Sequence, residues 1–538
     1  MKRISRRLFL ASMGAGAGAL VLSNTRGVWR LPAGMKVPSD LSPIDRTNGL
    51  VAPQQFVGDD PHPAHKVLWD IEGFIKSSGG IPDPQETVDF AVVGGGMSGL
   101  VTAYLLRQHR PILFEQARRL GGNAKGASWG GNDYPMGAVY FTKPEKGGRI
   151  DRLLTEIGVD HSPKEMVEAV GVGGKLFTDF WKEGTTQSFS PLADLLEKVG
   201  NEKEGFVFPK IPGDLAPLNG LDRISLAQFF EKHLGKSWSR DARTWVEYYC
   251  WSSFGGGARE VSAAAGLNFL AGDAGGTCMV PGGNAGIAEK LYRAMDGQVR
   301  LRTESIVVRV ELYKGGVRVA YVDREQKLRS VLARKVVVAA PKYVAKHIVA
   351  DLSESQKAAM GEIKYRGYAI GTVCLKAQPP EGNYCDVYVL GDGVAVKPQG
   401  SRRGTDVVIA NFASGFLGNT VLSVYRPLAF EGGRPKLLAQ NAYSELRTEF
   451  EQQIQGEILP LFGYHKSQVA DFRMNRWGHA LPLAEVGAIT SGRYERARQT
   501  VGGRILFANQ DNWALPAFEV CVSEALSATE ALLSRETA

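Results

Sequence analysis

The sequence feature that most constrains the fold is a glycine-rich turn that follows an apolar run. Residues 88–93 (Val-Asp-Phe-Ala-Val-Val) are typical of a buried parallel strand. The next residues fit the spacing GxGxxG and lead into an expected helix over 100–108: Gly94, Gly96 and Gly99. In such a turn the first glycine permits the bend, the second admits a pyrophosphate, and the third lets the helix pack closely. Anionic phosphates are expected at the helix N-terminus, around Met97 and Ser98.

An acidic residue follows at the distance that a bound dinucleotide requires. An expected strand over 111–114 ends at Glu115, which lies 21 residues beyond Gly94. A carboxylate at this place can bond the ribose hydroxyls of the adenosine. Strand, glycines, helix, strand and acid together predict a dinucleotide-binding unit, which at this point fits NAD(P) and FAD equally.

The segment that begins at Glu115 distinguishes the two cofactors. Residues 115–122 (Glu-Gln-Ala-Arg-Arg-Leu-Gly-Gly) resemble the E-x-x-x-R-x-G-G stretch of the flavin-containing amine oxidase and phytoene desaturase superfamily. The resemblance implies a second loop on the phosphates of FAD, formed by Gln116, Arg119, Gly121 and Gly122. Asn123 stands where that family usually has an arginine, so one charged contact is missing.

Further blocks resemble the same family in the same order. They are the turn 280–284, the strand 305–308 with Val307 as the expected adenine contact, the strand 336–341, and the segment 503–511. The resemblance implies FAD contacts from Gln510, Asp511 and Val520, with a helix from about 518 pointing its N-terminus at the flavin. Gln510 replaces a usual glutamate, and Val520 and Cys521 replace a usual Gly-Ala pair. No cysteine motif for covalent attachment is similar to the family's, so FAD is expected to be non-covalent.

The resemblance also implies the fold class and its domains. We expect an α/β protein with a Rossmann-like FAD-binding domain and an α+β substrate-binding domain. The FAD-binding domain is expected over 87–150, 276–345 and 476–538, and the substrate domain over 151–275 and 346–475. Residues 31–86 are rich in Pro, Asp and Gly, which predicts a non-repetitive lead-in segment.

Residues for catalysis are less well defined by the sequence. Trp477 and His479 lie in the block where the family carries an aromatic residue, and Trp513 follows the last FAD segment. These three are the catalytic candidates. Lys342 is expected at the surface, and Cys521 is expected to be a buried apolar residue. The aromatic residues of 238–251 are expected in the core more than in a pocket.

The resemblance to this family favours an FAD-dependent oxidoreductase that transfers a hydride from a C–N bond of an amine, polyamine or amino acid to flavin N5. One alternative is a dehydrogenase or desaturase that passes electrons to a quinone or a protein. Another is a non-catalytic flavin-binding partner protein. An NAD(P)-dependent enzyme without flavin is disfavoured, because the block at 503–511 would then serve no purpose.

The N-terminus predicts export. Arg6 and Arg7 precede an apolar stretch over 8–22, which is too short to span a bilayer and is typical of a twin-arginine signal within residues 1–30. We therefore expect the twin-arginine translocation machinery as a partner and a periplasmic location, with retention as a membrane anchor left open. Residues 1–30 carry six bases and no acid, which leaves +2 of the net +8 for the rest and argues against nucleic-acid binding. Five scattered cysteines without a CxxC pair suggest neither a metal site nor a disulfide framework.

Overall fold

The computed structural model describes residues 38–47, 55–159, 167–201, 208–209, 216–273, 276–391, 403–415, 418–513 and 515–534. The predicted twin-arginine signal over 1–30 lies outside the described residues. No helix among the described residues is both long and apolar enough to cross a membrane.

The strands, in chain order, are β1 (Ile44–Asp45), β2 (Val57–Gly58), β3 (Thr87–Val93), β4 (Ile112–Phe114), β5 (Gly126–Trp129), β6 (Asn132–Pro135), β7 (Phe141–Thr142), β8 (Val167–Val172), β9 (Lys175–Phe177), β10 (Thr277–Cys278), β11 (Arg300–Arg302), β12 (Ile306–Tyr313), β13 (Gly316–Val322), β14 (Leu328–Val338), β15 (Tyr365–Leu375), β16 (Tyr384–Leu390), β17 (Asp406–Ile409), β18 (Thr420–Leu428), β19 (Val469–Pro482) and β20 (Ile505–Phe507).

The α-helices, in chain order, are α1 (His62–Leu68), α2 (Ile71–Ser77), α3 (Met97–Leu105), α4 (Arg149–Glu156), α5 (Phe180–Glu183), α6 (Ser190–Asn201), α7 (Asn219–Asp222), α8 (Leu226–Leu234), α9 (Arg240–Phe254), α10 (Ala263–Asp273), α11 (Asn284–Ala294), α12 (Lys342–Ile348), α13 (Glu354–Gly361), α14 (Phe430–Leu438), α15 (Ala442–Gln453), α16 (Leu459–Leu461), α17 (Arg493–Ala497) and α18 (Phe518–Ser534).

A seven-stranded sheet has the order β11-β4-β3-β14-β13-β12, and β20 also pairs with β14. The pairs β11–β4, β4–β3, β3–β14 and β14–β20 are parallel, whereas β12, β13 and β14 form an antiparallel meander. Strand β3 is apolar and buried along most of its length, as expected of a central parallel strand with both faces covered. Helix α3 follows β3 directly, so the glycine-rich turn lies at the carboxyl end of the sheet.

An eight-stranded, mainly antiparallel sheet has the order β2-β19-β15-β18-β17-β16-β8-β9. Every residue of β15 is buried, and a Cβ added at Gly371 would come within 2.8 Å of the Phe450 ring on α15. Helix α15 therefore packs closely against one face of this sheet. Strand β19 runs to Pro482, so it crosses the boundary that the sequence predicts at residue 476.

The prediction of a non-repetitive lead-in segment is wrong for the part that forms α1 and α2. Val67, Ile71 and Ile75 are spaced by four residues and are all buried in the core that also contains Val308 of β12. Asp70 caps α2 by accepting a hydrogen bond of 2.9 Å from the Gly73 backbone N–H. Strand β2 pairs with β19, so the lead-in segment connects the edges of both large sheets.

The aromatic residues of 238–251 form core, as expected. Trp245, Tyr248, Tyr249 and Trp251 of α9 are all buried. Tyr249 stacks on Trp245 with ring centroids 5.4 Å apart and donates a hydrogen bond of 2.8 Å to Asp273. The last turn of α9 carries Ser252 and Ser253, which line the cavity described below. The packing of Trp245 and Tyr249 therefore holds this part of the cavity wall in place.

Candidate functional site

A cavity of about 380 Å³ is lined by residues of both large sheets. At one end lie the carboxyl ends of β3 and β4 and the start of β12. At the other end lie side chains of β15, β17, β18 and β19. The cavity therefore extends from the parallel sheet to the antiparallel sheet.

The first glycine turn forms one part of the cavity floor. Gly94 has φ +110°, and a Cβ there would lie 3.1 Å from the backbone of Ala339. A Cβ at Gly99 would lie 1.8 Å from the Gly94 carbonyl oxygen, so only glycine lets α3 start this close to β3. Gly94 and Gly96 line the cavity, whereas Gly99 lies beneath them and serves helix packing.

The second glycine pair lies directly against the first. The Gly121 N–H donates a hydrogen bond of 2.8 Å to the Gly95 carbonyl. A Cβ at Gly122, where φ is +55°, would come within 3.0 Å of the Gly96 Cα. Gly121 and Gly122 line the cavity beside Met97 and Ser98 at the N-terminus of α3. Two loops separated in sequence thus form one surface of exposed backbone that suits a phosphate group.

Glu115, the residue that the sequence predicts to contact the adenosine, lines the cavity. Its Oε2 accepts a hydrogen bond of 2.7 Å from the Gly95 N–H, and its Oε1 accepts one of 2.8 Å from the Ala117 N–H. Burial raises the pKa of this carboxyl group. Gln116 and Val307 line the same end of the cavity.

The residues present fit FAD. Helices α3, α11 and α18 each begin at the cavity, where Met97, Asn284 and Phe518 line it, and helix N-termini favour an anionic ligand. The glycine surface admits backbone contact with a diphosphate, and Glu115 lies where a ribose is expected. Gln510 lines the far end, with its Nε2 donating a hydrogen bond of 3.0 Å to the Ala480 carbonyl.

Arg119 lies outside the cavity lining, contrary to the sequence prediction. Its guanidinium forms an ion pair of 3.0 Å with Asp45 and donates to the carbonyls of Ser39 and Ser42 at 3.2 Å. These partners belong to the lead-in segment, and nothing in the sequence near Arg119 indicates their approach.

Asp511 and Val520 are also outside the lining, contrary to prediction. Val520 is fully buried in the core, and its neighbours Glu519 and Cys521 line the cavity instead. Burial raises the pKa of the Cys521 thiol to about 12, so it stays protonated at neutral pH. Cys521 is therefore a partly buried residue that packs against the core and also lines the cavity, in line with the expectation of an apolar residue, although its burial is incomplete.

Lys342 is fully buried, so the prediction of a surface lysine is wrong. Its Nζ lies 2.7 Å from Asp511 Oδ1 and 2.5 Å from the Asn512 side-chain oxygen. The Tyr365 hydroxyl donates a hydrogen bond of 2.7 Å to Asp511 Oδ2, and Tyr365 lines the cavity. Asp511 is thus a positioning residue that orients the cavity wall through Tyr365.

Of the three catalytic candidates, Trp477 and His479 line the cavity and Trp513 does not. The Trp513 indole donates a hydrogen bond of 2.8 Å to Glu524 and lies beneath the Arg498 guanidinium at 3.6 Å, as a packing residue would.

Polar contacts and ring stacking hold the side chains of Trp477 and His479 in place. The Trp477 indole donates a hydrogen bond of 2.9 Å to the Met136 carbonyl. The His479 ring stacks on Tyr343 with centroids 3.9 Å apart, and its Nε2 lies 2.5 Å from Arg434 Nη1. Burial and then the Arg434 charge lower the pKa of His479 to about 3, so the imidazole is neutral at physiological pH.

The cavity has an acidic end, formed by the antiparallel sheet together with α10 and the residue before β7, that sequence reasoning missed. We call it the acidic lobe, and its lining residues include Tyr140, Asp273, Tyr368, Asp406 and Tyr425. Burial raises the pKa of Asp406 to about 7, although hydrogen bonds from Thr405 and Ser252 oppose the rise. The available signal in the sequence is an acidic residue at the start of the otherwise apolar strand Asp406–Ile409.

The tyrosines of the acidic lobe are held in place by hydrogen bonds. Tyr425 donates one of 2.7 Å to the Gly137 carbonyl, and Tyr140 donates one of 3.2 Å to Asp386. Tyr368 donates one of 2.7 Å to the Trp251 carbonyl, with its ring 6.3 Å from that of Tyr425. The ring faces and the Asp406 carboxylate are therefore fixed before any ligand enters.

Comparison with known proteins places these features in a family. A family model described as flavin containing amine oxidoreductase matches residues 97–511. The curated protein "Oxidoreductase PigB" of Serratia sp. (strain ATCC 39006) is 24% identical over 512 residues, which cover 82% of this chain and 75% of that protein.

Two solved structures share the fold. A redesigned putrescine oxidase aligns with a TM-score of 0.63 at 16% identity, covering 84% of this chain and 99% of that one. A fatty acid isomerase from P. acnes that produces CLA aligns with a TM-score of 0.62 at 16% identity, covering 82% of this chain and 98% of that one.

Proposed function

Because the chain belongs to the family of flavin-containing amine oxidoreductases, we propose that it binds FAD non-covalently and oxidises a C–N bond of an amine. Glu115 and Val307 would hold the adenosine of FAD, the two glycine loops would hold its diphosphate, and Gln510 would contact the flavin. Bound FAD supplies the two-electron acceptor for a hydride from the substrate carbon. A protonated Cys521 thiol, the form that its raised pKa favours, opposes covalent attachment.

The observation that supports an amine is the acidic lobe. Its described lining includes the carboxyl groups of Asp273 and Asp406 and contains no lysine or arginine. An ammonium group is attracted both by a carboxylate and by the faces of tyrosine rings. An amino acid would also bring a carboxylate into this anionic space, so simple amines and polyamines fit better. An uncharged apolar substrate would leave the buried carboxylate without a cation.

The side chains around the flavin end position the substrate. Trp477 and Tyr365 form rigid walls, because each is tied by a hydrogen bond to another part of the chain. His479 stays neutral near pH 7 and so adds no positive charge that would repel an ammonium group. A diamine can place one ammonium at Asp406 and present the carbon beside its other, neutral amino group to the flavin.

The absorption spectrum of the purified protein, followed without oxygen, tests this proposal. We expect an oxidised flavin spectrum that bleaches on addition of putrescine, less readily with butylamine, which has a single amino group, and not with glutamate. Air then separates an oxidase, which recovers its colour, from a dehydrogenase that requires a quinone or protein acceptor.

Other outcomes contradict the proposal in distinct ways. Bleaching only by an uncharged apolar substrate would support a desaturase. A flavin that no amine reduces would support a non-catalytic flavin-binding protein. Failure to bind FAD even on reconstitution would remove the cofactor assignment itself.

We also propose that the chain is exported by the twin-arginine machinery and acts in the periplasm. The support is the pair Arg6-Arg7 before a short apolar stretch. This pathway moves proteins that are already folded, which suits a protein that must first take up its cofactor.

A further inference from the structure

Charge is distributed unevenly over the cavity surface. Its acidic lining residues are Asp59, Glu115, Asp273, Asp406 and Glu519, and its basic ones, among the described residues, are Lys125 and the neutral His479. FAD brings a diphosphate with two negative charges into this space. An anion that enters a surface rich in carboxyl groups requires a compensating cation.

Lys125 lies beside the place where the two glycine loops meet. Its side chain is 6% exposed, and a Cβ added at Gly121 would come within 3.3 Å of the Lys125 Cγ. The Ala124 N–H donates a hydrogen bond of 2.8 Å to the Gly121 carbonyl, and the Met136 N–H donates one of 2.9 Å to the Lys125 carbonyl. The backbone on both sides of Lys125 is therefore fixed, and its stem runs along the glycine surface.

The Lys125 charge acts on two acids from different parts of the chain. It opposes the rise in pKa that burial causes at Glu115, and it does the same at Asp59 of the lead-in segment. No ion pair among the described residues includes Lys125. A nearly buried ammonium that lines a cavity without a paired carboxylate is suited to bind an anionic ligand.

The neighbouring residue Asn123 supplies no such charge. Asn123 stands at the place of the arginine usual in the family, and its Nδ2 donates a hydrogen bond of 2.9 Å to the Ala480 carbonyl. Asn123 is neutral and fastens the loop to β19 instead. The α3 N-terminus offers only a partial positive charge, equivalent to about half an elementary charge.

We infer that Lys125 binds the diphosphate of FAD and supplies the positive charge that Asn123 lacks. The inference rests on the proposed FAD site and deepens it by naming a cofactor-binding residue. A lysine serves here because its ammonium is a compact charge that can contact phosphate oxygens without the planar match that an arginine needs.

Binding of ADP and of adenosine to the apoprotein tests this inference by calorimetry, without any turnover. We expect Lys125→Met to lower the affinity for ADP about 10- to 100-fold, or about 1.4 to 2.8 kcal/mol, and to leave the affinity for adenosine unchanged. The affinity for FAD should fall by a similar factor. Lys125→Arg should restore most of the ADP affinity, and added salt should weaken ADP binding more in the wild type than in Lys125→Met.

Lys335→Met is the matched control. Lys335 is 7% exposed, and its Nζ donates a hydrogen bond of 2.6 Å to the Leu532 carbonyl, outside the cavity lining. Loss of this buried lysine should leave the ADP affinity of the folded protein unchanged.

Equal ADP affinity in wild type and Lys125→Met would overturn the inference, and so would an equal loss for ADP and adenosine, which indicates a general structural role. If the wild type binds FAD tightly and Lys125→Met binds it as well, the inference fails and the FAD proposal stands. If the wild type binds neither FAD nor ADP, both fail.

Discussion

At the scale of single residues, Asp406 is the side chain on which the proposed amine substrate depends most. It is 3% exposed and lies in the cavity among the tyrosines of the acidic lobe. Burial without a cation disfavours its charged form, which is why its pKa rises from 3.8 to about 7. An entering ammonium would restore the charged form, so ligand binding and ionisation are coupled.

The pH dependence of substrate binding follows from this pKa. Only the ionised Asp406 attracts an ammonium, so KM for a diamine should fall as pH rises through about 7. We expect Asp406→Asn to raise KM at pH 8 by about tenfold, or about 1.4 kcal/mol, and to lose this pH limb. Anaerobic flavin reduction measured from pH 5.5 to 8.5 checks the prediction.

His479→Gln separates Asp406 from the other titratable candidate. The pKa of His479 is lowered to about 3, outside this range, so the limb should persist in that variant. A pH limb that survives in Asp406→Asn would contradict the assignment.

The stability of the apoprotein offers a second check. The folded pKa of Asp406 exceeds its unfolded value, so its contribution to stability is present below pH 4 and is lost as pH rises through 7.

At the scale of elements, the pairing of β14 with β20 explains why Lys342 is buried. The two strands run parallel, with Val338 opposite Phe507. The residues that follow parallel neighbours emerge at the same sheet edge, which brings Lys342 after β14 to Asp511 after β20. The sequence shows Lys342 only as a lysine after a proline, and its partner is 169 residues away.

Breaking this pair should cost much more than breaking an exposed one. Lys342→Met leaves the Asp511 carboxylate buried without its cation, and we expect a loss of about 3 to 5 kcal/mol in the free energy of unfolding. The double variant Lys342→Met/Asp511→Asn should regain part of that loss. Urea denaturation of the FAD-free protein measures both.

Lys327→Met is the control for this prediction. Lys327 pairs with Glu325 at 2.8 Å, and both side chains are more than half exposed, so the loss should stay below about 1 kcal/mol. Similar losses for Lys342→Met and Lys327→Met would show that the buried pair contributes no more than a surface pair.

At the scale of the whole molecule, the cavity depends on nearly the complete chain. Its lining begins at Asp59 in the lead-in segment and ends at Cys521 in α18. Both large sheets contribute, and the lead-in segment joins their edges through α1 and β2. FAD can therefore bind in full only when the chain has folded, which suits export in the folded state.

Export is tested by changing the two arginines conservatively. We expect Arg6→Lys/Arg7→Lys to keep the protein in the cytoplasm with FAD bound, because the cavity lies far along the chain from residue 7. Fractionation of cells and flavin absorbance of each fraction measure this. Wild-type protein found only in the cytoplasm, or a double variant that still reaches the periplasm, would contradict the proposed route.

The sequence by itself determined the turns and strand ends that form the proposed nucleotide end of the site. Gly94, Gly96 and Glu115 act through backbone shape and short-range spacing, so a contiguous pattern contains the information. The same holds for the helix that begins at Phe518, which the sequence predicts from about residue 518. The residues that specify these elements are close together in the chain, so the elements can be inferred without knowledge of the remaining fold.

Only the tertiary structure decided the rest. Asp406, Tyr368 and Tyr425 meet because β15, β17 and β18 pair in one register, and register depends on long-range packing. Arg119 is drawn to Asp45, and Lys342 to Asp511, by contacts across the fold. The proposed substrate site is built from such side chains of distant strands, and bringing them together costs chain entropy that only the completed core offsets.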